Sequence, residues 1–547
     1  MNYDYTVIIF MALTLISSTI LFIGKYSART HVLVLMFIAL FLLLFPQILS
    51  PYIIGIDAHW ERVIAKNTII NGHWNPNLVG NVVNGALSIA ILAPAVSLIA
   101  GVSMDMVTKI IFSLFAVLHI PIIWKINKKV FHFSNRSSFI SVLLVVGTSG
   151  YMLGSIHARQ EVALFIMLLL TYFIFSEKRK SFSLTLVTIL LFIGLTISHY
   201  TTAIFFIAIL FSSSIIMWML TKKEKFEYML TVITFLIFWT MFVVYATMIG
   251  STYSVLNILT ALLNWAIGST SIVVQQQLNP SFGNVFSIFN YLINILLIAL
   301  ISLGVVISFY MAFIKKRCIK ITQQKYIVFS SLAAGAIFFS LLPGISLVYN
   351  PERIFITVLL ICSGFMVIGL KSAFLLSAII IRKVSNLRIS TIKVNRVAVL
   401  FCFVIVLCHL ILQVGVPQYT VYNDTGNKYF GDIQEDFHYT FKGEVNGIQW
   451  LKDTMDNKTL IFTDFYGRGQ IPLQSYGMFA RNTIITVKDK NSIHADYPIL
   501  FYQQKSTIAK ENQLFSEDLG AISQIQRYLD GNNLIYNSGT AKVFSIF

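Results

Sequence analysis

Apolar residues fill the first three quarters of the chain in runs of about 17 to 25, the length that carries a helix across a bilayer. They lie at 5–24, 31–50, 104–126, 137–154, 160–176, 182–198, 201–220, 227–250, 285–313, 326–345, 354–372 and 396–416. The run at 82–100 contains Pro94 and would break the alternation of sides if it spanned, so a helix lying in or near the interface is expected there. After residue 416 the pattern changes to short elements. Val445, Ile448 and Leu451 recur at helical spacing, and strand-like runs follow at 460–463, 483–487, 497–502, 534–536 and 542–546, with 524–529 helical among them. The pattern predicts a mainly α polytopic membrane protein of about 12 transmembrane helices over residues 1–416, with a first large outer loop at about 51–103. A small extracytoplasmic α/β domain over 417–547 completes it.

Charge sets the orientation. Lys and Arg cluster around 25–29, 125–136, 178–180, 222–225, 315–325 and 371–396, which is every second connection. Basic connections stay on the cytoplasmic side, so the amino terminus and the tail are both expected outside. Of the 40 basic residues 28 precede residue 417, against only 9 of the 23 acidic ones, so the net charge of +17 is a topology signal spread over separate loops. A nucleic-acid partner would require one basic patch on a folded domain, and none is expected. All four cysteines, Cys318, Cys362, Cys402 and Cys408, precede the tail, which therefore has no disulfide to form. The first span lacks the basic flank of a cleaved signal and is followed at once by a second, so it is expected to remain in the membrane.

On this topology the notable ionisable residues gather at the outer rim: Asp57, His59, Glu61, Arg62, His73, His157, Arg159, Glu161, His199, Glu352 and Arg353. Charge at membrane depth or at its edge is costly and marks function by default. A transporter would place such groups near the midplane, whereas His119 and His409 are isolated there and are expected to be hydrogen-bonded packing residues. Asp57 and Glu61 are four apart and share a helix face. Asp57 has three readings: the cap of a helix whose Trp60, Ile64 and Trp74 dip into the headgroups, a ligand with His59 for Mg²⁺ or Mn²⁺, or a general base. Arg159 and Arg353 stand beside acidic neighbours at helix starts, where a guanidinium fork fits either a rim ion pair or the oxygens of a phosphate. His199, within Ser198-His199-Tyr200-Thr201-Thr202, is either a satisfied structural residue or a hydrogen-bond partner for phosphate or sugar. The polar segment 251–284 reads first as a connector.

These residues resemble the GT-C superfold of membrane glycosyltransferases, through a long first outer loop opening with Asp57, short outer connections and a soluble tail outside. More closely, His157-Ala-Arg159-Gln160-Glu161, Ser198 to Thr202, Glu444 to Leu451, Ala495-Asp496-Tyr497 and Ile535-Tyr536-Asn537 look like an uncharacterised prokaryotic family of multi-pass proteins associated with cell-surface polysaccharide genes. The superfold resemblance implies transfer of a sugar from a polyprenyl-phosphate donor to a glycan, lipid or protein acceptor, with Asp57 catalytic. It implies a donor site drawn from Arg159, Arg353, His157, His199, Tyr200, Glu61, Arg62, Glu161 and Glu352. His157 and Glu161 stand where a metal-dependent member would carry paired carboxylates, which leaves a divalent cation at Asp57 and His59 open. A polymerase or ligase of lipid-linked polysaccharide, and a flippase or transporter, are the alternatives.

Overall fold

The computed structural model describes residues 3–49, 52–54, 56–76, 82–148, 151, 158–175, 182–221, 285–315, 320–340, 351–385, 390–415 and 442–455, and five strands. The expected span at 227–250, the segment 251–284 and the tail helix at 524–529 lie outside them. Two long helices open the chain, α1 (Tyr3–Ile23) and α2 (Ala28–Leu49), and α3 (Ile56–Asn71) follows with a far more polar sequence. The next stretch passes through short helical turns into α4 (Ala93–Ala100), where Pro94 sits in the first turn, the one place in a helix that tolerates its missing N–H. Then come α5 (Met104–Lys129), α6 (Asn135–Val146), α7 (Ala158–Phe175), α8 (Phe182–Ser198) and α9 (Tyr200–Thr221). The remaining helices of the membrane unit are α10 (Val285–Phe309), α11 (Ile321–Ser340), α12 (Pro351–Ser385) and α13 (Thr391–Val414). Among the described residues eight helices are long and apolar enough to cross a membrane: α1, α2, α5, α7, α9, α10, α12 and α13.

The short helix α6 explains much of the packing. Every residue from Ser137 to Val146 is buried, because α2, α5, α12 and α13 surround it. A helix that is apolar on all sides belongs in a core. Its 12 residues rise only about 18 Å, short of the ~30 Å of hydrocarbon, and the described helix ends at Val146, inside the expected run 137–154. Such an interruption is tolerated where protein, and not lipid, surrounds the backbone. Polar side chains tie the layers together: Asn127 of α5 donates to Ser141 at 3.0 Å, and Ser141 donates to Ser363 of α12 at 3.0 Å. Each hydroxyl finds a partner on a neighbouring helix, so burial leaves none of these three groups unsatisfied.

Helix α3 carries the opening of the first outer loop and packs against the turns at 82–92, α4 and the start of α5. Ile64 is buried with Val83 and Ala90, and Trp60 and Trp74 pack on them. Trp74 also donates its indole N–H to Asn84 Oδ1 at 3.1 Å. The residues expected to dip into lipid headgroups thus fasten α3 to the protein. In the tail, α14 (Lys442–Thr454) covers a five-stranded mixed sheet of order β2-β1-β3-β5-β4, formed by β1 (Ile461–Asp464), β2 (Ile484–Val487), β3 (Ile499–Gln503), β4 (Asn533–Asn537) and β5 (Ala541–Ser545). β1 runs parallel to β2 and β3, and β5 is antiparallel to both of its neighbours. Ile448 and Leu451 of α14 bury against Ile461 and Val543, and Trp450 stacks on Tyr536.

Candidate functional site

Three helices bring their amino ends to one place. Asp57 lies in the first turn of α3, Arg159 is the second residue of α7, and Arg353 is the third residue of α12. Arg353 Nη2 donates to Asp57 Oδ2 at 2.5 Å, and Arg159 Nη2 lies 3.5 Å from the same oxygen. One turn further along α3, Glu61 Oε1 sits 3.5 Å from Arg159 Nε. Asp57 and Glu61 therefore share one face, as their spacing requires, and Arg159 spans both.

Depth differs among the four. Asp57 and Arg353 side chains are 28% and 23% exposed, Arg159 is 14% exposed and Glu61 only 2%. The cluster thus has a wet mouth at Asp57 and a dry floor at Glu61. Burial pushes the Glu61 carboxyl up from 4.5 to about 7; Arg159 pulls the other way and Asp57 adds to the rise. Neither Glu61 oxygen meets full hydrogen-bond geometry among the described residues, and the Arg159 backbone N–H adds only an opposing pull on the carboxyl. The amino ends of α3, α7 and α12 add partial positive charge at the same place, so two guanidiniums and three helix ends favour an anion there.

The other expected residues have different settings. Arg62 Nε pairs with Asp105 Oδ1 at 2.6 Å and is buried, tying α3 to the start of α5. Glu161 is turned into the helix bundle, where its Oε2 lies 3.9 Å from His119 Nδ1. His119 was expected to be isolated at depth, and it faces this carboxyl because one turn of α7 carries Glu161 inward from the rim. His199 is buried at the joint between α8 and α9, and its Nδ1 accepts the Thr202 backbone N–H at 3.3 Å, with Thr202 Oγ1 at 2.8 Å. An accepting Nδ1 places the proton of the neutral ring on Nε2. Tyr200 stacks on His199 with ring centroids 5.9 Å apart. His59 is buried. His157 lies outside the described residues, as does the side chain of Glu352.

Asp105 joins this network although it is not among the expected rim residues. Its signal was the sequence Ser103-Met104-Asp105, in which Ser103 Oγ caps α5 by accepting the Met106 N–H and Asp105 adds an acid to the first turn. His409 is a packing residue as expected, with Nε2 3.3 Å from Thr148 Oγ1. Among the described residues no group of three His, Cys, Asp or Glu gathers to hold a metal ion. The nearest candidate oxygen, Asp57 Oδ2, already accepts from Arg353, and a cation there would sit against two guanidiniums. The described donor set does not fit a divalent cation.

The family described as predicted membrane protein (DUF2206) matches residues 184–544. Among curated proteins none matches the chain. Of solved structures, the chain is similar to ArnT from Cupriavidus metallidurans bound to undecaprenyl phosphate, at 12% identity and a TM-score of 0.47, covering 95% of this chain and 97% of that one. It is similar also to ArnT from Cupriavidus metallidurans in the apo state, at 12% identity and a TM-score of 0.48, with 95% and 99% covered.

Proposed function

The chain belongs to the DUF2206 family of predicted membrane proteins, and from the site it carries we propose that it is an integral membrane glycosyltransferase. It takes a sugar from a polyprenyl-phosphate donor and gives it to a glycan, lipid or protein acceptor on the extracytoplasmic side. One observation carries this reading: Asp57, partly open to solvent, is gripped by Arg159 and Arg353 at the meeting of three helix amino ends. A carboxylate that can take a proton stands directly beside cations that can hold a phosphate.

The chemistry follows from that pairing. The acceptor hydroxyl gives its proton to an Asp57 carboxylate oxygen while its own oxygen bonds to the anomeric carbon. The bond from that carbon to the phosphate oxygen breaks, and its electron pair leaves with the phosphate, which gains one negative charge. Arg159 and Arg353 stabilise this developing charge with forked N–H donors, and they do so best in a site that water has left. Glu61, behind Arg159, holds the fork from its Nε edge. Asp57 then returns its proton to solvent through the open mouth. No step requires a metal ion.

The test is transfer of labelled sugar from polyprenyl-linked donors to surface glycan, in membranes carrying matched amounts of wild type, Asp57→Asn or Arg353→Ala. Asp57→Asn should lose transfer by about 10²-fold or more, and Arg353→Ala by roughly 10²-fold. Transfer by wild type should survive a chelator of divalent cations. Full transfer by Asp57→Asn would reduce that residue to a charge in the first turn of α3. Movement of lipid-linked glycan across the membrane without transfer would replace the enzyme by a flippase.

A further inference from the structure

The geometry points to a second role for Asp57. We infer that its carboxylate is the resident anion of the site that receives the donor phosphate, so that the donor must displace Asp57 from Arg159 and Arg353, and by displacing it makes it a competent base. This rests on the glycosyltransferase reading above.

Asp57 Oδ2 is the point on which both guanidiniums converge, at 2.5 Å from Arg353 Nη2 and 3.5 Å from Arg159 Nη2. The same N–H donors are those that a phosphate oxygen would use, because carboxylate and phosphate present acceptors of like geometry to an arginine fork. Two anions cannot occupy that position together. A carboxylate engaged by two cations is also a poor proton acceptor, since both neighbours favour its charged form. While Asp57 holds the arginines, the site is closed to phosphate and Asp57 is weakened as a base.

Arrival of the donor reverses both conditions. Its phosphate takes over the N–H donors, and the negative charge it brings raises the proton affinity of the released carboxylate. The base is armed only when the leaving group is already bound. Donor therefore binds before acceptor, and an acceptor hydroxyl reaching the site first meets no effective base. The partial exposure of Asp57 and Arg353 gives the carboxylate room to swing toward the mouth. Glu61, by contrast, is walled in behind Arg159 and cannot trade places with a ligand. The cluster thus has one fixed carboxyl and one displaceable carboxylate.

The measurement is equilibrium binding of a short-chain polyprenyl monophosphate to the full-length protein in detergent micelles, with the unphosphorylated polyprenol as control. Asp57→Asn removes the competitor, and it should bind the phosphate about tenfold tighter than wild type while losing transfer. Asp57→Ser, which also removes the carboxylate and is smaller, provides the same test if the asparagine variant does not fold. Glu61→Gln, compared above about pH 8 where the Glu61 carboxyl is charged, removes the same charge without freeing Arg353 and should give no such gain. In Asp57→Asn combined with Arg353→Ala the gain should vanish. Equal or weaker binding by both Asp57 variants would overturn the competition, and so would equal tightening by Asp57→Asn and Glu61→Gln, which would mark a net-charge effect. In both cases the glycosyltransferase reading survives if wild type binds the phosphate and Arg353→Ala weakens it. Failure of wild type and of both Asp57 variants to bind the phosphate at all would sink that reading and the inference with it.

Discussion

Glu61 shows how burial and pairing oppose each other at a single residue. Its contact with Arg159 would ordinarily hold a carboxyl below its usual range, yet removal from water wins and the carboxyl rises to about 7. A buried ion pair is weak evidence for stability, because the cost of desolvation can exceed the attraction. The sign of the consequence follows from linkage. A carboxyl raised in the folded state adds stability that is fully present below its unfolded value near 4.5 and is lost as pH rises through about 7. Glu61→Gln, neutral throughout, should flatten this slope and gain most above pH 7, by at most about 3 kcal/mol. Thermal unfolding of both proteins in detergent from about pH 5 to about pH 8 reads the effect, and parallel curves would show that Glu61 is not the group responsible. The sequence placed Asp57, Arg159 and Arg353 on one rim through the basic-loop rule. It could not pair them, because 102 and 296 residues of chain separate each arginine from the carboxylate it meets. Sidedness is local information, whereas a contact across three helices depends on how those helices pack.

At the scale of elements, the site is set by the way α12 is held, and two glycines hold it. α10 and α12 approach so closely that a Cβ on Gly304 would stand 1.9 Å from the carbonyl oxygen of Phe365, and one on Gly369 would stand 1.9 Å from that of Leu300. Small residues let helix backbones touch in this way, which replaces the hydrophobic driving force that lipid cannot supply. Gly304→Ala and Gly369→Ala should each force the pair apart and cost about 1 to 3 kcal/mol. Gly335→Ala on α11, where nothing lies within 4 Å of the added Cβ, should be neutral or slightly stabilising. Melting midpoints of the three variants check this, and a loss at Gly335 equal to that at Gly304 would remove the close crossing as the cause. Because α12 starts two residues before Arg353, the first two variants should also lower donor affinity. Hydropathy identified α10 and α12 as spans but gave no sign of their partnership. An apolar residue facing lipid and one facing another helix look alike in sequence.

For the molecule as a whole, the tail's relation to the membrane unit was the least legible feature. Its strands were readable from short β-rich runs because each lies in one contiguous segment, but the surface it rests on is set by packing between distant segments. Lys66 on α3 supplies a clue. Its amine is pushed below the ordinary lysine value by burial first and then by Arg62, with Asp105 opposing and the charge of Lys452 on α14 adding to the shift. A tail placed with α14 near the helix that carries Asp57 accounts for that contribution. The tail would then roof the first outer loop, and both lysines would face the extracytoplasmic side that the basic loops predict. A membrane-impermeant amine-reactive crosslinker should join Lys66 to Lys452 in right-side-out vesicles and leave them unlinked in sealed inverted ones, read by mass spectrometry of the linked peptide. A link in inverted vesicles alone would reverse the topology and move the Asp57 site to the cytoplasmic face. A link in neither, with Lys452 modified singly from outside, would keep the orientation and detach the tail from the site, leaving the donor's phosphate and the acceptor to meet at the cluster with no roof over it.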